Sequence, residues 1–230
     1  MEQSIEQVAF FKGVAGLDIK NLGRQCRWQR HEGGETIIDF EDPSSDIYFV
    51  QTGEVRILIR NAAGREMILA EMQAGQVFGE MSAIDGVPRS ANVTALTRTD
   101  LCIMPAAVLR ELIFSSPAVC DRLLRLLTGR MRSMNVRLTE HSMLDLKHRL
   151  IAELLRLSHP RPGHPGERMI SPPPFHHDLS ARIGCRREQV SRELSVLVHG
   201  GALEKTRGAL VLKKPQVLQH RLDAAMQTDE

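Results

Sequence analysis

The stretch Phe78-Gly79-Glu80-Met81-Ser82-Ala83-Ile84-Asp85-Gly86-Val87-Pro88-Arg89-Ser90-Ala91 carries the densest chemistry in the chain. It combines a glycine where backbone must approach a ligand closely, a carboxylate able to accept from a sugar hydroxyl, and an arginine followed by a hydroxyl donor. Together these suit a ribose that carries a phosphate. The competing reading is a hairpin ion pair between Glu80 and Arg89 over a site that binds nothing; the full string in order, inside a β-rich region, favours the sugar phosphate.

Outward from this stretch, residues 35–104 read as short β-branched or aromatic segments: Thr36 to Ile38, Ile47 to Val50, Val55 to Ile59, Met67 to Leu69, Val77-Phe78, Ala91 to Ala95 and Leu101 to Met104. Turns fall at Gly33-Gly34, Gly53, Asn61 to Gly64, Gly75 and Asp85-Gly86. Strands so short and so regularly spaced predict an antiparallel sandwich or barrel. Residues 5–24 ahead of them read as a short helical lead-in.

Pro105 ends the β pattern, and a long helix is predicted from Pro117 to about His141. Leu123, Leu127, Met131, Met134, Leu138 and His141 recur at helical spacing and form one seam, while Arg125, Arg132 and Arg137 take other faces. Such a seam needs burial, either against the chain's own β-domain or against the same helix of a second copy. A helix this long between two domains favours self-pairing, so a homodimer is expected. A second helix follows over about residues 144–158. Then come a loop over 159–166 and a proline-restricted stretch through Pro172-Pro173-Pro174.

From His176 to Leu194 the pattern is helix-turn-helix. Leu179 and Ile183 lie four apart on the first helix, Gly184 permits the tight turn, and Val190, Leu194 and Leu197 make the inner face of the second. Glu188 and Arg192 share an outer face with Arg187 beside them. Arginine can pair bidentately with the acceptor edge of guanine, and glutamate can accept from cytosine's amino group. Alone, Glu188 and Arg192 would read as a solvated helical ion pair. Arg182, Lys205 and Arg207 are further candidates for phosphate contacts or plain surface charges. The chain's end suits a β-hairpin, residues 202–204 against 209–212, turning at Arg207-Gly208.

The charge distribution agrees with a polyanion partner for the C-terminal part. Residues 1–144 hold 16 Lys/Arg against 18 Asp/Glu, whereas residues 145–230 hold 14 against 10. The run of about 18 apolar residues that a membrane span needs is missing, as is the basic start and apolar core of a signal peptide, so a cytoplasmic location and no membrane partner are expected. Cys26, Cys102, Cys120 and Cys185 are far apart, without a CxxC pair, and the nine histidines include one adjacent pair, His176-His177, placed to cap a helix or touch a phosphate. Neither a metal site nor a catalytic nucleophile with its base is expected, and the chain reads as a non-enzyme.

The string Phe78-Gly79-Glu80-Met81 followed by Pro88-Arg89-Ser90-Ala91 resembles the phosphate-binding cassette of cyclic-nucleotide-binding domains. Cys185-Arg186-Arg187-Glu188-Gln189-Val190-Ser191-Arg192 resembles the recognition helix of the CRP/FNR superfamily, in particular its cyclic-AMP receptor branch. The resemblance implies an α+β protein: an N-terminal antiparallel β-roll over residues 1–116, a dimerisation helix over 117–143, and a C-terminal winged helix-turn-helix over 144–230. It implies that Gly79, Glu80, Met81, Arg89 and Ser90 bind the ligand. Arg89 and Ser90 would take the cyclic phosphate, Glu80 the ribose 2′-hydroxyl, and Pro88 would set the turn that presents Arg89. Gly33, Gly53 and Gly75 resemble the turn glycines of that roll. Met134 and Asn135 stand where the receptor branch has two hydroxyl residues that bond adenine; Asn135 can still donate and accept, whereas Met134 offers only packing. Cyclic AMP is the first expected ligand and cyclic GMP the second. Arg187, Glu188, Ser191 and Arg192 are the expected DNA readers on a palindromic site with half-sites like TGTGA, and Ser191 is also the serine of the oxygen-sensing branch. Glu193 departs from the apolar residue often found at its position. By the same resemblance the loop over 159–166 is a candidate contact with RNA polymerase. The expected function is a cyclic-nucleotide-responsive dimeric transcription regulator; the alternative is a regulator of this type that is constitutive or senses another signal.

Overall fold

The computed structural model describes residues 4–227. By internal contacts the chain divides into two units, Met1–Arg130 and Met131–Glu230. The division falls within the long helix Pro117–Met143.

In the first unit a 3-10 turn (Ile5–Gln7) precedes helix α1 (Ile19–Gln25) and strand β1 (Arg27–His31), followed by β2 (Thr36–Ile38), β3 (Ile47–Thr52), β4 (Glu54–Arg60), β5 (Glu66–Gln73) and β6 (Val77–Phe78). Helix α2 (Glu80–Asp85), β7 (Asn92–Ala95), β8 (Thr99–Met104) and α3 (Ala106–Ser115) come next. The eight strands form two antiparallel four-stranded sheets, ordered β1-β8-β3-β6 and β2-β7-β4-β5. This is the expected antiparallel β-roll.

Period-two alternation explains how the two sheets bury both faces of the central strands. On β3, Tyr48 and Val50 enter the core between the sheets with Leu101 and Ile103 of β8, alongside Phe78 and Val93. The intervening residues Ile47, Phe49, Cys102 and Met104 point to the opposite face. There they meet Phe10 and Phe11 from the lead-in, Leu109 of α3, and Val119 and Leu123 of helix α4 (Pro117–Met143). These two strands read as continuous apolar runs because helices cover their outer side.

The expected lead-in helix is instead a 3-10 turn at Ile5–Gln7 and the separate α1, with Gly13 and Gly16 at positive φ between them. β1 is a polar edge strand and shows no apolar alternation; its Arg27 and Arg30 pair with Asp46 and Asp100. Residues 106–115 form α3, a helix beyond the sequence expectation that starts directly after Pro105. At the Gly33-Gly34 turn it is Gly34, at φ 91°, that adopts the left-handed conformation.

The second unit holds α5 (Leu146–Leu157), β9 (His159–Pro160), β10 (Arg168–Ile170), α6 (His176–Ile183), α7 (Arg187–His199), β11 (Leu203–Lys205), β12 (Leu210–Leu212) and α8 (Pro215–Gln227). The expected hairpin is present as β11–β12, within an antiparallel sheet ordered β11-β12-β10-β9. The core joins Leu150, Ile151 and Leu154 of α5 to Leu179 of α6, Val190 and Leu194 of α7, Leu212 of β12 and Leu218 of α8. The loop read over 159–166 contains β9, and α8 lies beyond the hairpin that was expected to end the chain. Asp145 caps α5, accepting from the backbone N–H of His148 at 2.9 Å. No helix among the described residues is long and apolar enough to cross a membrane.

Candidate functional site

In the first unit the cassette begins with a backbone that only glycine adopts readily. Gly79 sits at φ 78°, ψ 9° as the N-cap of α2, and Gly86 at φ 73° ends that helix. A Cβ on Gly79 would lie 2.8 Å from Arg89 Nη1 and 2.9 Å from the carbonyl oxygen of Asp46. Gly79 therefore lets the cassette helix and Arg89 approach each other. The helix itself was not foreseen, because six residues between two strands carry too little periodicity.

Arg89 is 3% exposed. Its backbone is pinned to the β2–β3 connection: its N–H donates to Asp42 O at 3.0 Å and its carbonyl accepts from Glu41 N at 2.9 Å. Its guanidinium donates to Ser44 Oγ at 3.0 Å, Gly79 O at 3.1 Å and Asp46 O at 2.8 Å. All three acceptors are neutral oxygens. The guanidinium also lies 5.5 Å from the centroid of the Tyr48 ring, which stacks on Phe78. Hydrogen bonds from Ser44, and then the charge of Arg89, hold the Asp42 carboxyl below its ordinary range. Burial raises the Tyr48 hydroxyl.

Glu80 is buried too, and its partner is not Arg89. Its Oε1 meets Arg130 Nη1 on α4 at 2.5 Å, and Arg130 also donates to the carbonyl of Val77. The hairpin ion pair weighed for Glu80 and Arg89 is therefore replaced by a longer-range one. Arg130 was absent from the expected site residues. The available signal was an arginine four residues after Leu126 and seven after Leu123, on a face of α4 that packs against the roll.

Gly79, Glu80, Met81, Arg89, Ser90 and Arg130 line a common cavity of about 130 Å³, closed on its apolar side by Ile38, Phe78 and Val93. Ser90 is exposed, with its hydroxyl 3.8 Å from Met81 Sδ. Met134 and Asn135 are exposed on α4, in the second unit. The cavity thus offers a cation whose hydrogen-bond acceptors are neutral, an exposed hydroxyl, and a carboxylate already held by an arginine. That set suits an anionic sugar derivative.

In the second unit the helix-turn-helix follows its apolar spacing. Leu179, Ile183, Val190, Leu194 and Leu197 are all buried, and Gly184 turns the chain at φ 69°. Gln189 Oε1 accepts from the N–H of Arg186 at 3.0 Å and so satisfies a donor at the start of α7. Arg187, Glu188 and Arg192 are exposed, and among the described residues none of them forms an ion pair. The solvated helical pair weighed for Glu188 and Arg192 is absent. Ser191 Oγ donates to Arg187 O at 3.1 Å and lies 2.7 Å from His176 Nδ1. Desolvation, and then the charges of Lys205 and Arg187, lower the pKa of His176. Lys205 and Arg207 are exposed at the hairpin, whereas Arg182 is buried against Glu153 at 3.3 Å and is not placed for a phosphate.

Comparison with known proteins agrees with both halves. The cyclic nucleotide-binding domain family matches residues 28–116, and the Crp-like helix-turn-helix domain family matches residues 148–221. The cyclic AMP receptor protein of Thermus thermophilus is 31% identical over 212 residues, covering 91% of this chain and 94% of that protein. The CRP-like cAMP-activated global transcriptional regulator of Mycobacterium tuberculosis is 26% identical over 222 residues, covering 96% and 99%. The solved structure of FixK2 from Bradyrhizobium japonicum shares the fold, with a TM-score of 0.71 at 24% identity over 85% of this chain and 96% of that one. With a cyclic-nucleotide-type β-roll, a Crp-like reader and relatives that span nearly its whole length, the chain belongs to the CRP/FNR family of DNA-binding transcription regulators.

Proposed function

We propose that this chain is a dimeric regulator whose DNA binding responds to a cyclic nucleotide held by Gly79, Glu80, Met81, Arg89 and Ser90. The carrying observation is the environment of Arg89: a guanidinium 3% exposed, hydrogen-bonded only to neutral oxygens at the wall of a cavity. A buried cation is costly unless an anion completes its surroundings, and a cyclic phosphate supplies one. In this reading Ser90 adds a hydrogen bond to the phosphate. The ribose hydroxyl competes with Arg130 for Glu80, which couples ligand entry to α4. Met134 and Asn135 on that helix would meet the base, with cyclic AMP favoured over cyclic GMP by analogy with the relatives' names.

The dimer reading rests on α4. Met131, Met134 and Leu138 are 65, 68 and 67% exposed along one seam. A second copy of the helix would bury them, and two readers related by a two-fold axis fit half-sites about one helical turn apart. Arg187, Glu188, Ser191 and Arg192 would then read base edges, in a cytoplasmic protein that acts on double-stranded DNA.

A second reading, a regulator that is constitutive or answers another signal, draws on the Glu80–Arg130 pair. That pair already occupies the carboxylate, and the cavity of about 130 Å³ is smaller than the roughly 300 Å³ at which small-molecule pockets usually begin. Calorimetric titration of the purified protein with cyclic AMP and cyclic GMP separates the two. The first reading expects saturable heat with at least one nucleotide, abolished in Arg89→Ala. No heat with either, together with retained operator binding, selects the second.

A further inference from the structure

A second charged cavity lies within the C-terminal unit, away from the cassette, between the last turns of α4 and helices α5 and α6. It has a volume of about 40 Å³, and its lining carries four guanidinium groups, Arg137, Arg149, Arg156 and Arg182, against two carboxylates, Glu140 and Glu153. The carboxylates are already engaged. Arg156 Nη2 donates to both oxygens of Glu140 at 2.6 Å, and its Nη1 donates to Glu153. Glu153 also takes Arg182 at 3.3 Å.

That leaves Arg137 and Arg149. Arg137 forms no hydrogen bond or ion pair among the described residues, and burial, with repulsion from Arg156 and Arg182, lowers its pKa. Arg149 gives Nη1 to His141 Nδ1 at 2.9 Å, where the ring nitrogen accepts because a guanidinium can only donate. The Nε of Arg149 is buried and has no acceptor. A buried guanidinium N–H left unpaired carries a full desolvation cost, and a water could accept from it without offsetting the excess of cations. The volume is far below the roughly 300 Å³ at which small-molecule pockets begin, which suits a small ion and excludes a nucleotide.

We infer that this cavity is a binding site for one small monovalent anion of halide size, chloride in ordinary solution. The anion accepts from Arg149 Nε and offsets the charge of Arg137. It ties the end of α4 to α5 and α6 where the His141 ring lies against the reader's turn; a Cβ on Gly184 would come within 3.1 Å of His141 Cε1.

The test is chloride NMR line broadening on the full-length protein, with gluconate replacing chloride at constant ionic strength. Wild type is expected to show a saturable component. Arg149→Gln should weaken it about tenfold or more, the loss of one charge-assisted hydrogen bond, while Arg132→Gln, at an exposed arginine on the same helix, leaves it unchanged. Broadening that never saturates, or equal broadening in wild type and Arg149→Gln, overturns the site. Should Arg149→Gln fail to fold, bromide-soaked crystals of wild type decide: an anomalous peak inside the cavity supports the inference, and density with no anomalous signal refutes it.

Discussion

Glu80 Oε1 and Arg130 Nη1 meet at 2.5 Å, so the first residue of the cassette helix is joined to the long helix fifty residues later by an ion pair whose carboxylate side chain is 7% exposed. Removing only the cation leaves a carboxylate buried without its partner. Arg130→Met is therefore expected to destabilise the N-terminal unit by about 3 kcal/mol or more. The double variant with Glu80→Gln should lose clearly less than the two single variants added together. Urea unfolding followed by Trp28, the lone tryptophan, reads this directly because it lies in β1. A loss below about 1 kcal/mol in Arg130→Met would place the pair with solvent-screened surface bridges.

Three glycines at positive φ separate backbone strain from close approach. Gly64, at φ 75°, has nothing within 4 Å of a built Cβ, so Gly64→Ala should cost only the left-handed penalty of about 1–2 kcal/mol. At Gly53 the Cβ would lie 2.4 Å from the backbone oxygen of Arg98, and alanine there is expected to prevent the roll from folding at ordinary temperature. Gly79→Ala should fall between the two in thermal unfolding, because its closest contact, at 2.8 Å, is the Arg89 side chain and its 2.9 Å approach to the Asp46 backbone is less severe than the clash at Gly53. The same variant should weaken cyclic-nucleotide binding in calorimetry, whereas Gly64→Ala should not.

His176 gives the C-terminal unit a pH dependence of definite sign. Its pKa in the folded chain lies below the ordinary 6.5, from burial and from Lys205 and Arg187. The folded state therefore resists protonation. Its contribution is intact above the unfolded value and is lost as pH falls from about 6.5 toward the folded value. Comparing thermal unfolding at pH 7.5 and pH 5.5, His176→Gln should show a smaller loss than wild type. An equal loss in both would assign the slope to other groups.

Reading and folding should separate on the helix-turn-helix. Leu179 is fully buried, and Leu179→Ala is expected to cost about 2–5 kcal/mol and to lose DNA binding through unfolding. Arg192 is exposed and forms no ion pair among the described residues, so Arg192→Ala should change stability by no more than about 0.5 kcal/mol. Its binding to a palindromic operator in a mobility-shift assay should nonetheless fall. Retained operator binding in Arg192→Ala would remove it from the reading surface.

The sequence by itself determined the parts that depend on local periodicity and turn chemistry. Seven of the strands, the long helix, the buried positions Leu179, Ile183, Val190, Leu194 and Leu197, and the β11–β12 hairpin all follow from alternation, helical spacing and glycine placement. Gly79, Glu80, Arg89 and Ser90 could be grouped because they lie within one short segment. Only the tertiary structure decided who partners whom. Arg130 reaches Glu80 from fifty residues away, Ser44 and Asp46 supply acceptors to Arg89 across the roll, and Arg182 turns inward to Glu153. Edge strand β1 and helices α3 and α8 are stabilised by the surfaces they pack on rather than by a strong pattern of their own. Pairing of charges is a property of three-dimensional proximity and burial, and a one-dimensional spacing carries no record of either.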